Sequence, residues 1–173
     1  MNDIRIEKFI TALDRYARAN LSDYRYEHSC RVASYAEELA RRYGCGHRLQ
    51  RLCYLAGISH DMCKEKPIGF LLRTVRTDGQ PVTPDEAANS ELLHGRAAAV
   101  LLQEHYGIHK KSLLNAVRYH TSASTKFDAL GRIIYIADKI EPGRKNCDYL
   151  REKVEQLTLD ELFLEVLKEV IGF

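Results

Sequence analysis

An all-α fold is what this sequence predicts. Three observations predict it: apolar residues recur at helical spacing along nearly the whole chain, helix caps bracket those stretches, and strand-like alternation is nearly absent. Residues 3–19 carry Ile6, Phe9, Ile10, Leu13, Tyr16 and Ala17 on one face. Residues 23–43 carry His28, Val32, Tyr35, Ala36, Leu39, Ala40 and Tyr43, then stop at Gly44, a residue free to take the left-handed turn that ends a helix. Residues 47–62 carry Leu49, Leu52, Cys53, Ala56 and His60. Over 63–82, Pro67, Gly69, Gly79 and Pro81 interrupt the pattern around the apolar stretch Ile68–Leu72, which predicts a short helix and a loop. Thr83-Pro84-Asp85-Glu86 restarts a helix, with Thr as cap, Pro in the first turn and Glu three residues after the cap. Residues 91–106 carry His94, Ala97, Ala98, Leu101, Leu102 and His105 up to Gly107, and 111–120 carry Leu113, Ala116, Val117 and His120. Residues 127–140 carry Phe127, Leu130, Ile134 and Asp138 before Pro142-Gly143. Their run Ile133-Ile134-Tyr135-Ile136 is the one local rival for a strand, and the wider periodicity favours helix. Thr158-Leu159-Asp160-Glu161 is a second capping box, opening a helix over about 159–171 that packs on or closes the bundle.

Composition narrows the function classes. The chain has 173 residues, enough for one domain over 1–173 that buries a core without disulfides. Lys plus Arg number 26 against 24 Asp plus Glu, a balance of +2 that gives no reason to expect a nucleic-acid partner. The longest apolar runs span only a few residues, so no membrane partner is expected, and the N-terminus enters an amphipathic helix with no export-signal pattern. Five cysteines with no C-x-x-C pair argue against zinc knuckles and suit free thiols in a reducing cytoplasm.

Seven histidines stand out by position. His28, His60, His94 and His120 fall on or extend apolar stripes, Asp138 lies four residues after Ile134, and Asp61 follows His60. A single stripe histidine is ordinarily a satisfied core residue. Five predicted helices that each present one ligand-type residue are not explained that way. Buried imidazoles and carboxylates need partners, and one metal ion can partner several. His47, His105 and His109 sit at helix ends and loops and are expected at the surface.

His28, His60-Asp61 and Asp138, in that order, resemble the H…HD…D pattern of the HD-domain metal-dependent phosphohydrolase superfamily. Longer blocks sharpen the likeness: His60-Asp61-Met62-Cys63-Lys64, Leu92-Leu93-His94-Gly95, Tyr119-His120-Thr121 and Asp138-Lys139-Ile140-Glu141-Pro142-Gly143-Arg144. Together they resemble the YqeK-like bacterial family, the HD-type symmetrical diadenosine tetraphosphate hydrolases, over about residues 20–155. The polar loop at 73–84 departs from that pattern.

The resemblance implies an all-α HD bundle with a buried metal site. It implies metal ligation by His28, His60, Asp61 and Asp138, with iron as the metal and Mn, Co or Zn as alternatives. His94 and His120 then hold either a second metal or phosphate, so one or two metals remain open. It implies phosphoric-anhydride hydrolysis of dinucleoside polyphosphates, diadenosine tetraphosphate above all, to two ADP, with an ADP- or GDP-like product. Asp61, Lys64 and His94 are the expected catalytic groups, and Lys64, His94, His120, Thr121, Asp138 and Arg144 the expected substrate contacts. Tyr119 and Tyr135 are aromatic candidates for stacking on a base, and Cys63 is expected to pack without a role. Alternatives are an HD nucleotidase or phosphodiesterase acting on another nucleotide, or a non-catalytic nucleotide-binding module. The strong C-terminal stripe also suits a homodimer.

Overall fold

The computed structural model describes residues 1–172 and, among them, is built from helices and connecting turns with no strand. Three helices open the chain: α1 (Asp3–Asn20), α2 (Asp23–Arg42) and α3 (His47–Ser59). Asn2 and Ser22 cap the first two by accepting from the backbone N–H three residues on. Ser22 is tied in turn to Glu65, its N–H and hydroxyl donating at 2.7 and 2.6 Å. Gly44 ends α2 in the left-handed conformation, φ 70°, as expected. Ile6, Ile10, Leu13 and Ala17 of α1 are buried and pack on α3.

The α2–α3 contact is made by small residues. A Cβ added to Gly57 would stand 2.5 Å from the Ala33 Cα, so the two backbones touch there. Ala33, Ala36, Ala40 and Ala56 are buried along the same seam. This close approach sets His28 and His60 side by side, their ring centres 5.4 Å apart.

The segment after α3 forms α4 (Ile68–Val75), a 3₁₀ turn (Arg76–Asp78) and α5 (Pro84–Ala88), which carries the expected capping box. Helix α5 is only five residues long and breaks at Asn89, where α6 (Ser90–Glu104) begins with a fresh cap. The 73–84 loop is held down by Arg96, which is buried on α6. Its guanidinium donates to both Asp78 oxygens at 2.8 and 2.9 Å, to the carbonyls of Gln80 and Pro81 at 2.8 and 3.1 Å, and to Glu86 at 3.1 Å. A buried guanidinium needs such full pairing, and here each donor fixes a point on the loop.

Helix α7 (Lys111–Arg118) packs on α6 and α8 (Ala129–Ile140). The isoleucine-rich run of α8 is helical because it is surrounded: Ile133, Ile134, Ile136, Ala137 and Ile140 are all buried, and α2, α3, α7 and α10 (Leu159–Ile171) pack around the helix. Between α8 and α10 the chain makes α9 (Asp148–Glu152) and a 3₁₀ turn (Lys153–Glu155), which the sequence pattern does not announce. Phe163 of α10 meets Tyr135 of α8 edge to face at 5.4 Å and Phe127 at 6.2 Å. Tyr135 is therefore committed to the core, 1% exposed, and is not available to stack on a base. No helix of the described residues is long and apolar enough to cross a membrane.

Because Gly57 sits against backbone atoms of α2, Gly57→Ala should overpack the seam. A loss of about 1–3 kcal/mol is expected in denaturant-induced unfolding.

Candidate metal centre and substrate cleft

Six ionisable side chains converge at one end of the bundle. His28 comes from α2, His94 from α6 and Asp138 from α8. His60 and Asp61 follow the end of α3, and His120 follows the end of α7. The expectation that helices run through His60 and His120 is thus corrected. Both helices stop short and the ligand-type residues sit in the turns beyond. The physical reason is local: each imidazole Nδ1–H donates to the carbonyl three residues earlier, Gly57 for His60 and Val117 for His120, both at 2.7 Å.

Close packing brings the second pair of rings together. A Cβ on Gly95 would stand 2.9 Å from the Val117 and Arg118 carbonyl oxygens, so α6 abuts the end of α7 there. His94 and His120 consequently face each other with Nε2 atoms 3.0 Å apart. All six residues are at most 5% exposed.

The arrangement presents donors to a common centre. Asp138 Oδ1 lies 3.1 Å from His28 Nε2 and 3.7 Å from His60 Nε2. Asp61 Oδ2 lies 3.5 Å from His60 Nε2, while Asp61 Oδ1 lies 3.1 Å from His94 and 3.4 Å from His120. Two overlapping triads result, His28–His60–Asp138 and His60–Asp61–His120, with donor atoms within 4.8 Å of one another. His60 Nε2 is the informative atom. It is buried, its other nitrogen is already a donor, and it has no hydrogen-bond partner. An orphaned imidazole acceptor facing two carboxylates fits a divalent cation, and the imidazole–carboxylate donor set suits first-row metals.

Protonation states follow from the same crowding. Burial raises Asp61 and Asp138, but neighbouring His60, and Lys139 beside Asp138, outweigh it and hold both carboxyls well below the usual range. Burial opposes charge on His60, yet the two carboxylates raise its pKa. Burial pushes His120 down to about 4, with His60 and His94 adding to the effect. A neutral His120 whose Nδ1–H is spent on Val117 has only a lone pair at Nε2, which suits ligation better than donation to phosphate.

Several contributors carry no helical-spacing signal. Arg25, one turn before His28 on α2, donates to Asp61 Oδ2 at 2.7 Å. Lys139 and Arg144 donate to Asp138 at 2.6 and 3.0 Å. Glu141, 1% exposed, accepts from His28 Nδ1 at 3.1 Å, from Arg31 at 2.8 Å and from the Gly143 N–H at 2.5 Å. It fixes the His28 tautomer that presents Nε2 to the centre. Of these, Lys139 and Glu141 stand inside the block that ends at Arg144. Lys64 is paired with Glu91 at the cleft mouth, and Thr121 Oγ1 lies 3.3 Å from His120 Nε2. Cys63 is fully buried and packs. His47, His105 and His109 are exposed and far from the cluster in role, as expected.

A cavity of 420 Å³ opens beside the cluster. Its lining joins the charged and polar residues Arg25, Asp61, Lys64, Glu91, His120, Thr121, Asp138, Lys139, Arg144 and Glu169 to the apolar Ile140, Leu150, Val166 and Val170. Helix α10 therefore walls the cleft in addition to packing on α8.

Residues 25–143 match the family model described as the HD domain. This chain belongs to the HD-domain family. It is 34% identical over 165 residues to a symmetrical bis(5'-nucleosyl)-tetraphosphatase of Staphylococcus aureus, covering 92% of this chain and 81% of that protein. A protein of the same name from Bacillus subtilis is 30% identical over 158 residues, 90% of this chain and 82% of that one. The fold matches a crystal structure described as a predicted HD superfamily hydrolase involved in NAD metabolism from Clostridium acetobutylicum. The TM-score is 0.83 at 33% identity, over 94% of this chain and 85% of that one. The HD pair of the family name is His60-Asp61 here; His60 belongs to both donor triads and Asp61 to one.

Since Glu141 orients His28, Glu141→Ala should weaken metal binding by about 10–100-fold in a competition titration against a chelator. Glu141→Gln, which keeps an acceptor for Nδ1–H, should recover part of the loss.

Proposed function

We propose that this chain is a metal-dependent hydrolase that cleaves diadenosine tetraphosphate, and related dinucleoside polyphosphates, symmetrically to two ADP. One observation carries the reading: the buried His/Asp cluster borders a cleft that combines the cations Arg25, Lys64, Lys139 and Arg144 with apolar residues of α8, α9 and α10. Phosphates and a base call for those two kinds of surface. The names of the relatives at 30–34% identity support the substrate.

His28, His60, Asp61 and Asp138 are the proposed metal ligands, and His94 and His120 flank a position where a second ion can sit. Iron is the proposed metal, with Mn, Co and Zn compatible with the same donors. When bound, the metal supplies acidity to water and polarises a phosphoryl oxygen. The protein's own groups do the positioning. Asp61 orients the water, and His94, whose Nε2 is 3.1 Å from Asp61 Oδ1, takes up the water's proton. The water oxygen forms a bond to an inner phosphorus, the bridging P–O bond opposite breaks, and its electron pair leaves on the second ADP. Lys64, Arg144 and Thr121 hold the phosphoryl oxygens whose charge grows in that step, and His120 keeps its Nε2 lone pair for a metal ion. Residues 1–173 act as one HD unit in this reading, with α10 part of the site. Five free thiols suit a reducing cytoplasm.

Product analysis with iron supplied anaerobically should return ADP alone; ATP plus AMP would overturn symmetrical cleavage. His60→Ala should lose bound metal and turnover together. Full activity without metal would refute the site. Tight ADP binding with intact metal and no turnover would favour a non-catalytic nucleotide module.

A further inference from the structure

A second cavity, of 740 Å³, lies across a narrow ridge from the metal cleft. Neighbouring residues divide between the two. Glu91 lines the metal cleft and Leu92 the second cavity; His120 and Thr121 line the metal cleft, and Tyr119 and Ser122 the second cavity. The ridge is thus the start of α6 and the turn after α7, the two segments whose close packing sets His94 against His120. Its far wall is the 73–84 loop that Arg96 holds down.

The chemistry of the two cavities differs. Arg25, Lys139 and Arg144 suit the first one to phosphate once a divalent cation neutralises Asp61 and Asp138, which they otherwise pair with. In the second, charges cancel: Arg96 and Arg118 both bond Asp78, and Arg96 also bonds Glu86, two cations against two carboxylates. What remains for a ligand is apolar and neutral polar surface. Tyr119 and Leu92, each 36% exposed, supply the large apolar side chains of its lining. Gln103, Asn115 and Ser122 add neutral donors and acceptors around them. The Arg118 guanidinium stands 5.8 Å from the Tyr119 ring centre and steadies the ring. A flat, uncharged ring bearing hydroxyl groups suits such a surface, and a phosphate does not.

We propose that the second cavity receives the other nucleoside of the dinucleotide, its base stacked on Tyr119 against Leu92. The inference rests on the dinucleotide reading above. One ADP half then runs along the cationic cleft to the apolar wall of α8 and α10, and the other crosses the ridge. Symmetrical cleavage suits this placement, because two phosphates lie on each side of the scissile bond and each nucleoside has the same reach from the metal centre. The stacking is sequence-tolerant, so this half of the substrate is read for having an aromatic base more than for which base it has. The 73–84 loop gains a role as the outer wall of this subsite.

The test uses the full chain loaded with metal, and compares ADP with the methylene-bridged, non-hydrolysable analogue of diadenosine tetraphosphate by calorimetry. Tyr119→Ala and, on a different segment, Leu92→Ala should each weaken the analogue, Tyr119→Ala by about tenfold, with ADP affinity at the wild-type value. Tyr119→Phe should bind the analogue as wild type does. Unchanged analogue affinity in both alanine variants overturns the subsite. A parallel loss for ADP does so too, because Tyr119 would then be acting only by shaping its neighbour His120. If the wild-type protein releases two ADP from diadenosine tetraphosphate while the variants bind the analogue normally, only the subsite fails. A wild-type protein that does not cleave the dinucleotide and prefers ADP to the analogue overturns both readings.

Discussion

Two buried carboxylates, Asp61 and Asp138, govern this structure. Each residue is at most 5% exposed, and against the cost of burial Asp61 is held ionised by the surrounding imidazoles and Asp138 by Lys139 and the imidazoles. Such groups are tolerated in a core only with compensating positive charge and good geometry. The protein provides part of that compensation itself. Arg25 reaches Asp61, and Lys139 and Arg144 reach Asp138. The rest is left to the imidazoles, and His60 Nε2 still has no hydrogen-bond partner. That residual frustration is what fits the cluster to a metal ion and distinguishes it from a polar knot in a bundle.

The helices are arranged around this requirement. Two glycines make the approach possible, Gly57 where α3 meets α2 and Gly95 where α6 meets the end of α7. At both places the neighbour is backbone, which cannot rotate aside as a side chain can, so any added atom must push elements apart. The histidine pairs His28–His60 and His94–His120 are the direct products of those two contacts. Anchoring of Nδ1 on Gly57, Val117 and Glu141 then turns three Nε2 atoms inward. Helix packing sets where the rings are, and these hydrogen bonds set which nitrogen each presents.

Most of the helices and the six clustered residues were legible in the sequence, because a polar residue on an apolar stripe is visible without coordinates. What was not legible depends on contacts between segments. Arg25 looks like an ordinary exposed helix arginine until Asp61 is placed opposite it. Glu141 lies beyond the end of α8, outside any stripe, and its burial comes from Arg31 and His28 on α2. Arg96 occupies a helix position that reads as solvent-facing, and only the returning 73–84 loop buries it. Hydrophobic spacing runs through the His60 and His120 turns as if they were helix; the side-chain bonds to backbone carbonyls that belong to those turns leave no mark in hydrophobic periodicity. Tyr119 and Tyr135 were equal as stacking candidates, and packing separates them, one against Phe163 and the other at a cavity wall.

The near-zero net charge conceals a strong local separation. Around the cluster, Arg25, Lys139 and Arg144 are balanced by Asp61 and Asp138, and Lys64 by Glu91. Once the two buried carboxylates are neutralised by a divalent cation, the three cations beside them no longer have their charge cancelled. They already line the cleft, so the unbalanced positive potential is directed at the space where phosphates would lie. Metal loading and phosphate affinity are therefore coupled through shared carboxylates. This coupling needs no movement of the bundle and no basic surface. It also explains why the cationic groups crowd against the ligand residues when they could be spread along the cleft: only there can the metal switch their field on.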